Sequence, residues 1–542
     1  IPSHMNGVPD APDSGNPSHQ IISLAAGEAH TVALAGDGSV YSWGRGMFGR
    51  LGNGSESDES SPVQLLFDSR AESLEFVGVA AGAYHSLALG DNGSVWCWGY
   101  NLYGQLGFSN ENSSVPHLLE LGSHCTSTDE LERKSKTPLK IRAISAGGMM
   151  SLAMDGHGAL WMWGNCPQQT GSGDGEFSLV SCSIPIPVSK FHGQMVAKVG
   201  CGNEHIVALV SDGGDLSCYS WGGNLYGQLG LGDTESRSTP ELIKTFESKS
   251  PWAVACGAFH TAVVTNRMNL SPAPGDVCWT FGHGSHGQLG HGTTVSALLP
   301  LPVKGLPDEP KPPLVSVDCG LFHTTVVTSA GEVWSWGMEK GLGLCPDASF
   351  SGNDAGDAIL PRRYGPRFPE PVQVACGAAH TVLAASGGHT LWSWGRGRGG
   401  VLGNGGTVDC YVPVVVSWPL PRDEEESVAG NGEVEKRLSL AMDELKVLHT
   451  RFSAMERYAS VLHGSIFGKP FEEGDVRALL QRSGAFDVAR EWENMLESAD
   501  RGRLLRLEAF YRSVLAGVKD KLMKRRIQEI VKECLPSSTS GD

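Results

Sequence analysis

Long hydrophobic runs are missing from this sequence. No stretch of about 18 apolar residues occurs, which excludes a helix able to cross a bilayer. Cations are scarce where a nucleic-acid-binding arm would need them. The first Lys or Arg is Arg45, in a chain of net charge −17. Phosphate-led affinity depends on clustered cations that release counterions, so direct nucleic-acid binding is disfavoured and protein partners are expected. None of the 13 cysteines stands in a C-x-x-C pair, and no basic start leads into an apolar secretory core. Reduced thiols and a cytoplasmic and/or nuclear location are the expectation. No nucleotide-phosphate loop, nucleophile triad or metal cluster rises above the repeats described below, so neither a cofactor nor a catalytic residue is expected.

Turn formers are abundant, with 71 Gly and 30 Pro spread along the chain. Ile1 to His4, before Met5, read as a cloning scar, and residues 1–20 as a disordered tail. Beyond it one pattern recurs seven times: a small residue, Gly, two variable residues, then His. The pairs are Gly27/His30, Gly82/His85, Gly202/His205, Gly257/His260, Gly320/His323 and Gly377/His380, with Gly147/Met150 as the degenerate third copy. Successive glycines lie 55, 65, 55, 55, 63 and 57 residues apart.

Each copy continues alike. A short apolar strand such as Thr31–Leu34 leads to a Gly/Asp/Asn turn, then to a strand with two aromatics spaced two apart, as in Trp96/Trp98, Tyr219/Trp221 and Trp392/Trp394. That spacing puts both rings on one sheet face. A Gly-rich loop follows, clearest as Gln105-Leu106-Gly107, Gln228-Leu229-Gly230 and Gln288-Leu289-Gly290. Such a unit matches one four-stranded blade, and radial stacking buries faces that no blade could bury alone. The fold class is therefore an all-β seven-bladed β-propeller over residues 21–418. Most copies follow a Pro-Val-type strand, such as Pro62–Leu65 or Pro371–Val374, while none precedes Ile21 and a spare one, Val412–Val416, follows the last copy. The expectation is that this late strand, within 412–418, completes the first blade and fastens the ring.

With these marks in place, residues Ile21 to Trp418 resemble the regulator-of-chromosome-condensation repeat family. The resemblance implies a seven-bladed propeller and a choice of functions, since members include an exchange factor for the small GTPase Ran, a plant ultraviolet-B photoreceptor and many scaffolds. The photoreceptor's tryptophan cluster uses Gly-Trp-Arg-His-Thr. The matching stretches here, Gly257–Thr261, Gly320–Thr324 and Gly377–Thr381, hold neither Trp nor Arg. In the exchange factor, acidic and His side chains near the Gly-x-x-His loops face the GTPase. Gly202-Asn203-Glu204-His205 is close to that form, so Glu204 carries over, whereas the other loops are mostly apolar or aromatic.

The variable positions supply the candidate partner-binding residues Tyr84, Met149, Glu204, Phe259 and Phe322. Packing inside the central channel is the alternative reading of these side chains. The runs Cys201/His205, Cys256/His260, Cys319/His323 and Cys376/His380 look like metal motifs, but the same slot holds Ala26, Ala81 and Ala146 in the first three copies. A slot that accepts Ala or Cys is small and buried, so no metal is expected. The recurring histidines read as blade-fixing hydrogen bonds. The chain is thus expected to be a non-enzymatic protein-binding scaffold. The alternative is guanine-nucleotide exchange on a Ran-like small GTPase.

Three insertions, Ser123–Lys140, Asn266–Asp276 with Leu306–Pro313, and Pro346–Pro369, read as surface loops. After Pro419 the character changes. An acidic linker over 419–433 contains Asp423–Glu426. A smaller all-α segment is expected over 434–535, then a short disordered tail. Leu438, Leu445 and Phe452 fall on heptad position a, and Leu448, Met455 and Leu462 on d. These heptads leave two alternatives open, a homodimer seam or docking surface, and a self-contained helical hairpin.

Overall fold

In a computed structural model, the described residues are 20–68, 74–108, 111–119, 140–169, 177–211, 213–266, 275–306, 312–338, 357–364 and 367–418. The linker, the helical segment with its heptads, and most of the three insertions lie outside them. Among the described residues, strands β1–β28 form seven four-stranded antiparallel sheets. Blade 1 (β1–β4) spans 21–64, blade 2 (β5–β8) 76–119, blade 3 (β9–β12) 141–187 and blade 4 (β13–β16) 195–242. Blade 5 (β17–β20) spans 251–302, blade 6 (β21–β24) 314–364 and blade 7 (β25–β28) 373–415.

Each strand's composition fits its radial position. The innermost strand runs to the small residue that precedes the repeat Gly, as in β1, Ile21–Ala26. The second strand is sandwiched between neighbouring blades and reads as a continuous run, His30–Ala35 in blade 1, with every residue buried. The third carries the aromatic pair and ends in Gly, as in Val95–Gly99, again wholly buried. Seven hydrophobic clusters result, each formed between two adjacent blades. Trp43, Trp98, Trp163, Trp221, Trp336 and Trp394 sit in these clusters with no solvent exposure.

The outermost strand is an open edge, and each is blunted in the same way. Six of the seven begin opposite the Gly that ends the third strand, as Glu59 does opposite Gly44 and Arg237 opposite Gly222, and in blade 3, where both strands run on, Cys182 stands opposite Gly164. Three residues on comes a proline: Pro62, Pro116, Pro185, Pro240, Pro300, Pro361 and Pro413. A residue without an N–H cannot template another strand.

The ring does not close as the sequence reading anticipates. The late strand β28, Cys410–Val415, pairs with β27 of its own blade, Val415 opposite Trp392 and Val414 opposite Ser393. Blade 1 already holds four strands, ordered β1-β2-β3-β4. The repeat pattern conceals where a blade begins. Pro62–Gln64 belongs to an outer strand, whereas Gln373–Cys376 is an inner one, and the outer strand of one blade is followed closely by the inner strand of the next, as β24 is by β25. Side chains seal the seam instead. The Gln373 amide accepts from Leu24 N at 3.0 Å and donates to Leu24 O at 2.8 Å, mimicking one rung of a β-ladder. Trp43 Nε1 donates to Val401 O at 3.1 Å across the same seam.

The repeat histidines bind each blade to the next. His30 Nε2 reaches Ser86 Oγ at 2.8 Å, His85 reaches Ser151 at 2.9 Å, and His205 and His260 reach Thr261 and Thr324 at 2.9 Å each. His323 meets Thr381 at 3.1 Å, and His380 meets Thr31 at 3.2 Å across the closing seam. Ser86, Ser151, Thr261 and Thr324 donate onward to the carbonyls of Arg50, Gln105, Gln228 and Gln288. The hydroxyl proton is therefore committed, and the imidazole must donate from Nε2. Among the described residues Nδ1 of His30, His85, His205, His260 and His323 has no partner. The junction between blades 3 and 4 lacks this bond, because both of its members are missing. Met150 replaces the His, and Ile206 replaces its hydroxyl partner. Losing both members leaves no buried polar group stranded.

Glycine is required beside each His. A Cβ on Gly202 would lie 2.3 Å from His205 Cε1, and one on Gly377 would lie 2.0 Å from His380 Cε1. The imidazole occupies the space a side chain would fill.

Burial holds these histidines well below the usual imidazole range, to about 4 for His85 and about 3 for His205, His260 and His323. The unfolded chain therefore binds more protons as pH falls below about 6.5, and stability drops in that direction. Tryptophan fluorescence should show acid unfolding between about pH 6 and 3, with little change between pH 7 and 8. His260→Ala should cost about 2–4 kcal/mol in urea unfolding at pH 7.5, and a loss below about 0.5 kcal/mol would contradict the bridging role.

Candidate recognition face

The Gly-x-x-His loops and the Gly-rich loops after the third strands emerge on the same side of the ring, here called the loop face. Backbone bonds tie neighbouring inner loops together, including Ala83 N to Gly148 O at 2.9 Å and Ala378 N to Glu28 O at 3.1 Å. They frame the mouth of a central channel of about 570 Å³, to which all seven inner strands contribute.

The Gln-Leu-Gly loops are anchored from within. Gln228 Oε1 accepts from Tyr226 N at 2.9 Å, and Gln288 Oε1 accepts from His286 N at 2.9 Å. Leu229 is fully buried, and its carbonyl accepts from Ser220 Oγ. Gly230 has φ +68°, and a Cβ there would come within 2.8 Å of the Phe281 ring in the next blade. A rigid base thus presents the residue just before Gly-Gln-Leu-Gly: Tyr226 in blade 4 and His286 in blade 5.

The sequence-derived residues fall into separate places on this face. Phe259 and Phe322 are half-buried and joined through His283, whose ring centroid lies 6.5 Å from Phe259 and 5.8 Å from Phe322. Tyr226 stands 4.3 Å from His283, and His286 stands 4.9 Å from Phe322. These five rings make one continuous patch over blades 4 to 6, beside Leu225, which is 71% exposed. His286 Nδ1 also lies 3.0 Å from an Asp357 carboxylate oxygen. Burial among the rings, followed by the neighbouring His286, lowers the His283 pKa.

Tyr84 belongs to a second cluster, with Phe48 at 5.8 Å and Tyr100 at 6.2 Å. The buried Arg50 guanidinium lies 4.4 Å above its ring. Burial, and then a hydrogen bond to Glu28, push the Tyr84 phenol up to about 12. Met149 is half-buried, its sulfur accepting from Gln105 Nε2 at 3.5 Å. Glu204 is exposed, and its carbonyl accepts from Gly223 N at 2.8 Å. Tyr226, His283, His286, Phe48 and Tyr100 are the residues the sequence reading missed. Their signal was an aromatic or His within the Gly-rich loops of blades 1, 2, 4 and 5.

The Cys-Gly-x-x-His runs do not converge on a metal. Each histidine spends its Nε2 on the next blade, while Cys201, Cys256, Cys319 and Cys376 line the channel. Burial raises these thiols, which makes them poor nucleophiles. Asp318 also lines the channel, its carboxylate accepting from Cys376 N at 2.7 Å. Burial raises it to about 7 even so.

An acid whose pKa is higher in the folded state binds an extra proton there between its unfolded and folded values. Asp318 should therefore take stability away as pH rises from about 4 to 7, opposite in sign to the histidines. The advantage of Asp318→Asn over the parent in urea unfolding should grow across that range and then level off. A pH-independent difference would contradict this ionisation.

Comparison with known proteins fits this geometry. A profile described as an RCC1-like domain matches residues 3–306, and profiles of the regulator of chromosome condensation (RCC1) repeat match residues 314–340 and 389–428. The ultraviolet-B receptor UVR8 of Arabidopsis thaliana is 34% identical over 407 residues, covering 74% of this chain and 82% of that protein. The human E3 ubiquitin-protein ligase HERC2 is 28% identical over 392 residues, 71% of this chain but only 7% of HERC2. Among solved structures, Prp20p from Saccharomyces cerevisiae superposes with a TM-score of 0.56 at 22% identity, covering 74% of this chain and 88% of that one. The Prp20p structure is described together with that protein's binding to Gsp1p and histones.

Proposed function

Because this chain belongs to the regulator of chromosome condensation (RCC1) family, we propose that it is a non-enzymatic protein-binding scaffold whose loop face engages its partner. The observation that carries this reading is the run Tyr226–His283–Phe322, with Phe259 and His286, contributed by three blades on the loop face. Half-buried rings on a rigid base lose little conformational entropy on docking, which makes them good anchors. The patch mixes apolar rings with imidazoles, so it suits a partner that offers an apolar side chain beside hydrogen-bond acceptors. Light reception gains no support here. Ala258, Leu321 and Ala378 stand where the photoreceptor motif has tryptophan, and six of this chain's tryptophans are sealed between blades.

Exchange on a Ran-like small GTPase is the second reading, supported by the exposed Glu204 carboxylate on an acidic Gly-x-x-His loop. Such activity needs no cofactor of its own, since nucleotide and magnesium are displaced from the GTPase.

The two readings predict different results. For a scaffold, Phe322→Ala and Phe259→Ala should each weaken a captured partner by roughly tenfold or more, read by calorimetric titration, with the melting temperature retained. Unaltered binding by both would remove this face from consideration. For exchange, the protein should accelerate release of labelled guanine nucleotide from a Ran-type GTPase, and Glu204→Ala should abolish the effect.

A further inference from the structure

Six of the seven third strands end at the Gly that follows their aromatic pair, as Val40–Gly44 and Val95–Gly99 do. The exception is β11, Leu160–Gln169, which passes Gly164 and continues for five residues. Its partner β12, Phe177–Pro187, runs beside it, with Cys182 opposite Gly164, Ser181 opposite Asn165 and Val180 opposite Cys166. Residues opposite one another share a sheet face, and so do residues two apart on one strand. Cys166 and Cys182 are therefore diagonal neighbours on one face. Gly164, directly opposite Cys182, has no side chain, so β11 places nothing between the two sulfurs.

The two thiols lie within hydrogen-bonding reach of each other. Both pack in the cluster between blades 3 and 4, where Cys201 of blade 4 supplies a third sulfur. This is the junction at which Met150 and Ile206 stand in place of the imidazole and its hydroxyl. Cys166 is fully buried, whereas Cys182 is partly exposed. The contact with Cys182, and then burial, hold the Cys166 thiol well above the ordinary range. For Cys97, Cys218 and Cys278 burial is the whole cause of the same shift. A thiol that stays protonated does not begin a nucleophilic attack, but it can complete one against an electrophile pressed against it.

We propose that Cys166 and Cys182 are a redox pair, closed to a reversible disulfide by hydrogen peroxide. Cys182 reacts first, as the more exposed member. Its sulfur attacks the peroxide, the O–O bond breaks, one oxygen stays on sulfur as a sulfenic acid, and the other leaves as water. The Cys166 sulfur then displaces the sulfenic oxygen, which departs with the Cys166 proton as a second water. The two sulfurs give up two electrons in all, and the peroxide receives them. A thiol reductant reverses the step by exchange, becoming a disulfide itself. Diagonal positions in a sheet lie roughly 7 Å apart at Cα, close to the limit of about 6.8 Å for a disulfide. Closure therefore asks for a small shift, and it falls on β12, the outermost strand of its blade. The link ties that rim strand to the one junction of the belt that has neither imidazole nor hydroxyl, and fixes the direction in which β11 and β12 run on beyond Gly164.

The test uses the full chain, reduced, desalted, exposed to one equivalent of hydrogen peroxide and then blocked with N-ethylmaleimide in guanidinium. Trypsin releases residues 143–190 as one peptide that contains these two cysteines and no other. After peroxide that peptide should carry no maleimide, weigh about 2 Da less than its unlabelled reduced form, and take two labels once dithiothreitol is added. Cleavage after Glu176 should leave its two halves joined until reduction. Oxygen gained by methionines of the peptide shifts the mass the other way and removes no label. Cys166→Ser should strand the reaction at a Cys182 sulfenic acid that dimedone traps, and Cys182→Ser should leave Cys166 reduced and labelled. Should Cys166→Ser fold poorly, Cys182→Ser and the mass of the parent peptide carry the test. Two maleimides on the peroxide-treated parent would overturn the proposal. So would a link from Cys166 to Cys201, or a sulfenic acid that persists on Cys182 with Cys166 present.

Discussion

The ring depends on a hydrogen-bond relay that crosses from blade to blade. An imidazole Nε2 donates to a hydroxyl of the next blade, which donates in turn to a loop carbonyl, as from His205 to Thr261 to Gln228. A buried relay of this kind is strong because water cannot compete for it and costly because no member can be removed alone. Its geometry dictates the motif around it. The glycine must lack a side chain because the imidazole stands there, and the Gln-Leu-Gly carbonyl must arrive at a fixed height to receive the hydroxyl. Some of those carbonyls serve twice, since Trp98 and Trp163 donate to the same Arg50 and Gln105 oxygens. Relay and aromatic core therefore share an anchor.

Blade 3 shows what happens where that constraint is lifted. Met150 and Ile206 replace the imidazole and the hydroxyl together, and the junction becomes a cluster rich in sulfur and rings, with Met162, Cys166, Phe191 and Trp221. The same blade gives up the Gln-Leu-Gly loop and spends the freed chain on the β11–β12 ribbon.

Much of this was legible in the sequence, for a physical reason. Gly, His and paired aromatics recur because each fills a slot that admits no other shape, so the count of seven and the burial of Trp43, Trp98 and Trp163 followed from the pattern. The phase of the repeat was not legible. A period states how long a unit is and not where it starts, so Val412–Val416 looked like a spare strand when it was the fourth of its own blade. The recognition face was half legible. Phe259 and Phe322 lie at marked positions beside the motif, but the His283 that joins them sits in a loop 24 residues after the first and 39 before the second, and only the fold sets these segments side by side.

The seam between Gln373 and Leu24 has a consequence for biosynthesis. Since every sheet draws its strands from one uninterrupted stretch, none has to wait for the far end of the message to be translated. Each wedge can finish as it clears the ribosome and settle against the wedge made before it. Only the last handshake, between the first wedge and the seventh, must await the making of the seventh. A circularly permuted gene opened between any two wedges would encode the same set of complete sheets, with a single seam merely moved around the circle.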